Sequence, residues 1–180
     1  KLKEIVLSDF TDYSAIASSL RNIDVAYFCV GVYTGAVPDA EFKKITVDYT
    51  LKFADAVKEN SPNATLCFLS GEGADRSEKS RLSFARYKGM AENYLISKSF
   101  RQLYIFRPGY IYPVEKRKEP NFGYKLYRAL YPLIALFGSG FSIKSTELGE
   151  AMFKTGLHGT GKSTLENADI LNLVHHNHPS

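Results

Sequence analysis

The side chains with the most chemistry to offer stand just past the ends of apolar runs. Ser70 closes the run Leu66–Leu69, and Arg107-Pro108-Gly109 closes the run Leu103–Phe106. Between them Lys88 lies in a helical pattern, and the residues separating it from Arg107 are enough to finish that helix and turn into the next strand. A hydroxyl could polarise a carbonyl, and an ammonium could orient a polar ligand beside it. Each has a plainer reading too: a loop hydrogen bond for Ser70, a surface position for Lys88.

Two earlier runs end in a similar way. Asp9-Phe10 follows Lys1–Leu7, and Gly31 follows Val25–Val30. Asp9 could clasp the edge of an adenine or simply start a helix. Gly31 could make a turn, or let a ligand approach the backbone where a Cβ would clash.

These residues need a frame to hold them. Four apolar runs read as strands, at about 3–7, 25–30, 65–70 and 103–107. The run VAYFCV shows no polar alternation and predicts a strand buried on both faces. Between the runs, Thr11 or Asp12 can cap a helix carrying Ile16, Ala17 and Leu20. Val47, Leu51, Ala54 and Val57 mark the buried stripe of a longer helix, about 39–59. Strand–helix alternation predicts an α/β fold with a doubly wound parallel sheet, whose strand carboxyl ends are where ligands bind.

The rhythm changes after Gly109. Tyr110–Asn121 reads as an irregular basic loop, and Phe122–Gly138 as an aromatic-rich helix interrupted near Pro132. Ser145 can cap a further helix with Glu147 and Glu150 in its first turns, ended by Gly156 or Gly159. Residues 164–174 add a short strand or turn. With no repeat or low-complexity linker, 1–180 reads as a single domain, with 110–160 as a substrate or lid region.

Composition narrows the function. The chain has 180 residues, 44% hydrophobic and 23% charged, with a net charge of +4. Acids and bases are interspersed, and the longest basic run, Lys116-Arg117-Lys118, sits between glutamates, so no basic stripe suggests nucleic acid. No apolar stretch reaches the ~18–20 residues of a membrane span. Cys29 and Cys67 fall inside apolar runs and read as buried, reduced thiols of a cytoplasmic protein.

Three patterns attract attention without carrying function. Gly156–Ser163 (GLHGTGKS) matches the P-loop pattern G-x-x-x-x-G-K-[ST] letter for letter. That chemistry needs a strand before the loop and a helix after it, whereas here a helix precedes; phosphate binding at 156–163 remains only a remote alternative. His175, His176 and His178 form a terminal tail lacking the carboxylate or cysteine partners of a metal site. Tyr124, Tyr127, Leu130 and Tyr131 at helical spacing suit a packed face or a substrate lid.

Taken together, Asp9-Phe10, Asp24-Val25…Cys29-Val30-Gly31, Leu69-Ser70, Lys88-Gly89-x-x-Glu92, Arg107-Pro108-Gly109 and Ser145-Thr-Glu-Leu-Gly resemble the atypical short-chain dehydrogenase/reductase superfamily. The chain is most similar to its Tat-interacting-protein-like oxidoreductase branch. The resemblance implies a Rossmann fold, NAD or NADP as cofactor, and a small carbonyl or sugar-like substrate, as in the epimerases; a homodimer is compatible with it. It further implies that Asp9 and Phe10 hold adenine, that Cys29, Val30 and Gly31 line the dinucleotide, and that Lys88 bonds the nicotinamide ribose and, as a catalytic residue, lowers the pKa of a catalytic tyrosine. Pro108, Gly109, Tyr110 and Ile111 would pack near the nicotinamide, and Ser70 would polarise the substrate carbonyl.

The chain departs from the pattern at three places. Where the family has a catalytic tyrosine, four residues before the lysine, stands Phe84, which has no proton to give. Tyr87 lies about 100° around the helix, and the literal Tyr94-x-x-x-Lys98 falls too close to the helix end. Relatives often carry Ser-Ser at Ser70-Gly71. The family's opening strand, glycine-rich turn, helix and second strand are not in this sequence, which predicts a fragment with an upstream pyrophosphate loop. These departures keep open a second reading, a non-catalytic dinucleotide-binding sensor or scaffold.

Overall fold

A computed structural model describes residues 2–114 and 141–175. The expected helix at Phe122–Gly138, the basic run at Lys116–Lys118, the tyrosines at 124, 127 and 131, and His176 and His178 lie outside the described residues.

Strands β1 (Val25–Phe28), β2 (Thr65–Leu69) and β3 (Gln102–Arg107) form where the apolar runs predict them. They pair in parallel, Val25 opposite Thr65 and Leu66 opposite Leu103. A further strand, β6 (Thr164–Glu166), pairs parallel to β3, giving the order β1-β2-β3-β6. Short strands β4 (Tyr110–Tyr112) and β5 (Ser142–Lys144) form a separate parallel pair.

Alternation of side chains divides the core in two. Ala26, Phe28, Leu66, Phe68 and Ile105 face Ala54 and Val57 of α2 (Tyr49–Asn60) and Ala91 and Leu95 of α3 (Ser83–Ser97). Cys67, Tyr104, Phe106 and Leu165 face Leu148, Ala151 and Met152 of α4 (Ser145–His158) and Ile170 of α5 (Asn167–His175). Helices on both faces of a parallel sheet make the doubly wound α/β architecture. Fully burying a Phe or Leu here contributes about 1.5–3 kcal/mol.

The expected long helix spans 39–60 in three parts. Helix α1 (Asp39–Lys43) passes through a π turn, Lys44–Asp48, into α2. The π turn changes which face is buried: Phe42 and Val47 pack with Tyr87, while Ala54 and Val57 pack on the sheet.

Several expectations are corrected. Residues 3–7 form no strand; Leu2 and Val6 are 96% and 87% exposed. A strand needs a neighbour to satisfy its backbone groups, and no strand lies beyond the free edge of β1 among the described residues. That edge position also explains β1. Tyr27 is 38% exposed and Cys29, just past the strand, is exposed rather than buried. The helix after Asp12 is a 3-10 helix, Ser14–Leu20. Ser145 does not cap α4 but is its first residue. Lys144 holds the cap position, and its backbone amide donates to Glu147 Oε2 at 2.9 Å. Gly156 lies inside α4, and Gly159, at φ +74°, ends it. Apart from these corrections, Leu148, Ala151 and Met152 of α4 pack into the core.

Candidate functional site

The carboxyl ends of β1 and β2 open onto a cleft of about 350 Å³ lined by Cys29, Val30, Gly31, Ser70, Lys88 and Ile111, with Phe84 and Thr46. It continues into a neighbouring hollow of about 280 Å³ bounded by Ser70, Gly71, Phe84 and Pro108–Ile111. Val32, Tyr33, Ser70, Phe84 and Ile111 line both. Cys29, Val30, Gly31, Ser70, Lys88, Pro108, Gly109, Tyr110 and Ile111 thus gather on one connected surface. Asp9 and Phe10 do not line it. Asp9 Oδ1 accepts from the Thr11 amide at 2.8 Å and the Thr11 hydroxyl at 2.7 Å, and Phe10 stacks on Tyr49 at 5.4 Å.

Lys88 is 9% exposed. Its ammonium donates to the Leu69 carbonyl at 2.9 Å and stands 5.0 Å from the centre of the Phe68 ring. Burial lowers its pKa from 10.5 to about 8, with Glu92 and then Cys29 acting in the opposite direction. Although Cys29 is exposed by surface area, the cleft walls packed around its thiol desolvate it and push its pKa up, and nearby Lys88 only partly offsets this.

Glu92, one turn further along α3, is fully buried and is the hub of the site. Its carboxylate accepts from Ser70 Oγ (2.6 Å), Arg76 Nε (2.7 Å), Arg107 Nε (2.9 Å) and Arg107 Nη2 (2.5 Å). Burial works to raise its pKa, but the Arg107 and Ser70 hydrogen bonds and the two guanidinium charges prevail and hold the carboxyl below its ordinary range. Arg76 reaches Thr164 Oγ1 at 2.9 Å and Arg107 reaches Glu166 Oε1 at 3.1 Å. The cluster therefore fastens β2, β3, α3 and β6 together at the cleft floor. Ser70 gives its one hydroxyl proton to Glu92 while its side chain still lines the cleft.

Phe84 is packed, not merely short of a hydroxyl. A Cβ added at Gly71 would stand 2.6 Å from Phe84 Cζ. The ring fills the room that a side chain at 71 would need, and its para carbon faces the Gly71 backbone. Tyr87 is occupied elsewhere: its hydroxyl donates to Asp39 Oδ2 at 2.6 Å. Tyr94 and Lys98 both bind Asp55, at 2.8 and 2.6 Å, and line neither part of the cleft.

Sequence reasoning missed Arg76 and Asn167. Arg76 lies in a charged loop that looks solvated. Asp75 organises this loop by accepting from the Ser77, Lys79 and Ser80 amides. Asn167 Oδ1 accepts from the Gly109 amide at 3.0 Å while its Nδ2 donates to the Ser142 carbonyl at 3.2 Å, seating the Pro108-Gly109 turn against β5. In each case the partner is distant in sequence. At the P-loop match, residues 159–163 connect α4 to β6, helix to strand, the reverse of the order phosphate binding requires, and Lys162 pairs with Asp169 at 2.5 Å. His175 ends α5 with Nε2 3.5 Å from Glu147.

No protein-family model matches the sequence, and no curated protein matches it. Solved structures do. UDP-N-acetylglucosamine 4-epimerase from Bacillus cereus superposes with a TM-score of 0.62 at 14% identity, over 93% of this chain and 69% of that one. RMD from Pseudomonas aeruginosa, complexed with NADPH, gives 0.63 at 15% identity, over 92% and 67%. The enzyme WbmF from Bordetella bronchiseptica, in complex with NAD+, gives 0.62 at 14%, over 95% and 63%. A fourth, the UDP-N-acetylglucosamine 4-epimerase from Methanobrevibacter ruminantium M1, is spanned over only 58% of its length. At these identities the likeness is one of fold: the chain has the Rossmann-like α/β architecture of these proteins.

Proposed function

We propose that the chain belongs to an NAD(P)-binding, oxidoreductase-like protein of the atypical short-chain dehydrogenase type, with a small carbonyl or sugar-like substrate. The observation that carries this is Lys88. It is a buried ammonium with three donors and one protein hydrogen bond, held in a cleft at the strand carboxyl ends. Two fold neighbours were solved with NADPH and NAD+.

The residues present fit such a ligand. A Cβ at Gly31 would meet nothing within 4 Å, so the backbone there stands open to a bound group. Lys88 would hold the ribose hydroxyls, Cys29 to Gly31 would line the dinucleotide, and Pro108 to Ile111 would flank the nicotinamide. The adenine end is assigned to the exposed Asp9 carboxylate and Phe10, outside the cleft. When bound, the nicotinamide supplies hydride transfer. The chain's own residues orient it and exclude water through Phe84, Val32 and Ile111.

A second reading, a dinucleotide-binding protein without reductase chemistry, is favoured by one contact. Phe84 stands against Gly71, and Ser70 gives its proton to Glu92, so neither family position offers a proton to a substrate. Fluorescence titration with NADH and NADPH, followed by a carbonyl screen, separates the readings. Binding with turnover supports the first and binding without turnover the second. Absence of binding by an intact, folded protein removes both.

A further inference from the structure

Lys88 has a chemical property that cofactor binding does not use. Glu92, one turn along the same helix, is the natural partner for its charge, yet that carboxylate is taken up by Arg76, Arg107 and Ser70. The amine is left with a carbonyl oxygen and the face of Phe68. Around it the cleft wall is mostly apolar, with Val30, Val32, Phe42, Leu69, Phe84 and Ile111 beside the polar Tyr33, Thr46 and Ser70. The ionisable groups close to it are Cys29 and Tyr33 on the loop after β1 and Glu92 on its own helix. None of these is a carboxylate free to pair with it. An amine buried this way, with room before it, is the arrangement that makes lysine a nucleophile.

We propose that Lys88 captures small aldehydes as an imine in the cleft formed by Val30, Phe84 and Ile111. The neutral Nζ lone pair attacks the carbonyl carbon, a C–N bond forms, and the carbonyl π pair moves to oxygen. A proton passes from nitrogen to that oxygen to give a carbinolamine. Loss of water, with the nitrogen lone pair closing the C=N bond, gives the imine. No oxidant or reductant is consumed. The depressed pKa of Lys88, about 8, supports the step, since a substantial fraction of the amine is neutral near pH 8. This inference does not depend on dinucleotide binding.

The test uses the unmodified chain with propanal and cyanoborohydride, which traps an imine as a stable secondary amine. Peptide mapping by mass spectrometry reads each lysine at about pH 7, where the lower pKa outweighs the accompanying loss of nucleophilicity. Lys88 is expected to label on the order of a hundredfold faster than Lys98, whose pKa is raised to about 12 by hydrogen bonds to Asp55 and Tyr94. The fast adduct should vanish in Lys88→Arg with its circular dichroism unchanged. Labelling spread over surface lysines with Lys88 unmodified overturns the proposal. Labelling of Lys88 without NADH binding supports it and counts against the dinucleotide reading alone; NADH binding with Lys88 unlabelled overturns it alone.

Discussion

Glu92 and Arg107 meet in a two-point hydrogen bond, Nε to Oε1 at 2.9 Å and Nη2 to Oε2 at 2.5 Å, with the carboxylate fully out of water. Such a fork is among the stronger polar contacts a protein makes. Removing one side leaves a buried charge without its counterpart, at a cost of about 3–5 kcal/mol. Glu92→Gln should lower the unfolding free energy by that amount, moving the urea midpoint down with the slope unchanged. Glu92→Gln combined with Arg107→Met should cost less than the two single changes added. A double-mutant cycle measures the difference.

Gly89 is set by a close approach. A Cβ there would fall within the Asp75 carbonyl, a backbone atom that cannot step aside. Gly89→Ala, which in an exposed helix would stabilise, should here cost about 1–3 kcal/mol. Thermal unfolding reads the sign.

Lys88 makes stability depend on pH in a predictable direction. Its folded pKa, about 8, lies below the ordinary 10.5. Between these values the unfolded chain binds the extra proton, so stability rises with pH through that window. The penalty for burying the charge is fully present below pH 8. The gap corresponds to about 3 kcal/mol. Cys67 and Tyr13 are both pushed up to about 12 by burial and titrate in the opposite sense. The clean measurement is therefore the difference between the parent chain and Lys88→Met, which should shift in favour of the parent chain as pH rises from 8 to 10.5.

Dinucleotide affinity should separate the two lysines of α3 and its end. Lys88→Ala removes a charged donor and should weaken NADH binding about 10- to 100-fold. Lys98→Ala, whose ammonium serves Asp55 away from the cleft, should leave it within twofold of the parent. Equal effects would contradict the assignment of Lys88 to the ligand.

Phe84→Tyr is expected not to create a reductase. The new hydroxyl would project from Cζ toward Gly71, and overpacking there should cost about 1–3 kcal/mol. Assay of carbonyl-dependent NADPH oxidation, beside a melting curve, checks both halves.

Strands β1 to β3 were legible because an uninterrupted apolar run of five or six residues has few other uses. The spacing from Lys88 to the next strand was legible for the same reason: helix length is local arithmetic. Residues 3–7 misled because alternation records a preference for a sheet and says nothing of whether a neighbouring strand exists. Cys29 misled likewise: exposure at a sheet edge is decided by what lies beside it. Arg76 and Asn167 were illegible because their partners, Glu92, Gly109 and Ser142, come together only when the sheet closes. The tight fit of Phe84 on Gly71 could be read from neither residue alone.

The π turn at Lys44–Asp48 gives the cleft a dependence on chain length. Phe42 and Thr46, which wall the cleft, stand before or within it, and the sheet-facing Ala54 and Val57 stand after it. Deleting one residue there would restore an unbroken α-helix and rotate everything upstream by about 100°, withdrawing Phe42 from the wall and Asp39 from Tyr87. The outer wall is held by a residue count, so this helix should tolerate exchanges of side chain far better than the loss of a single residue.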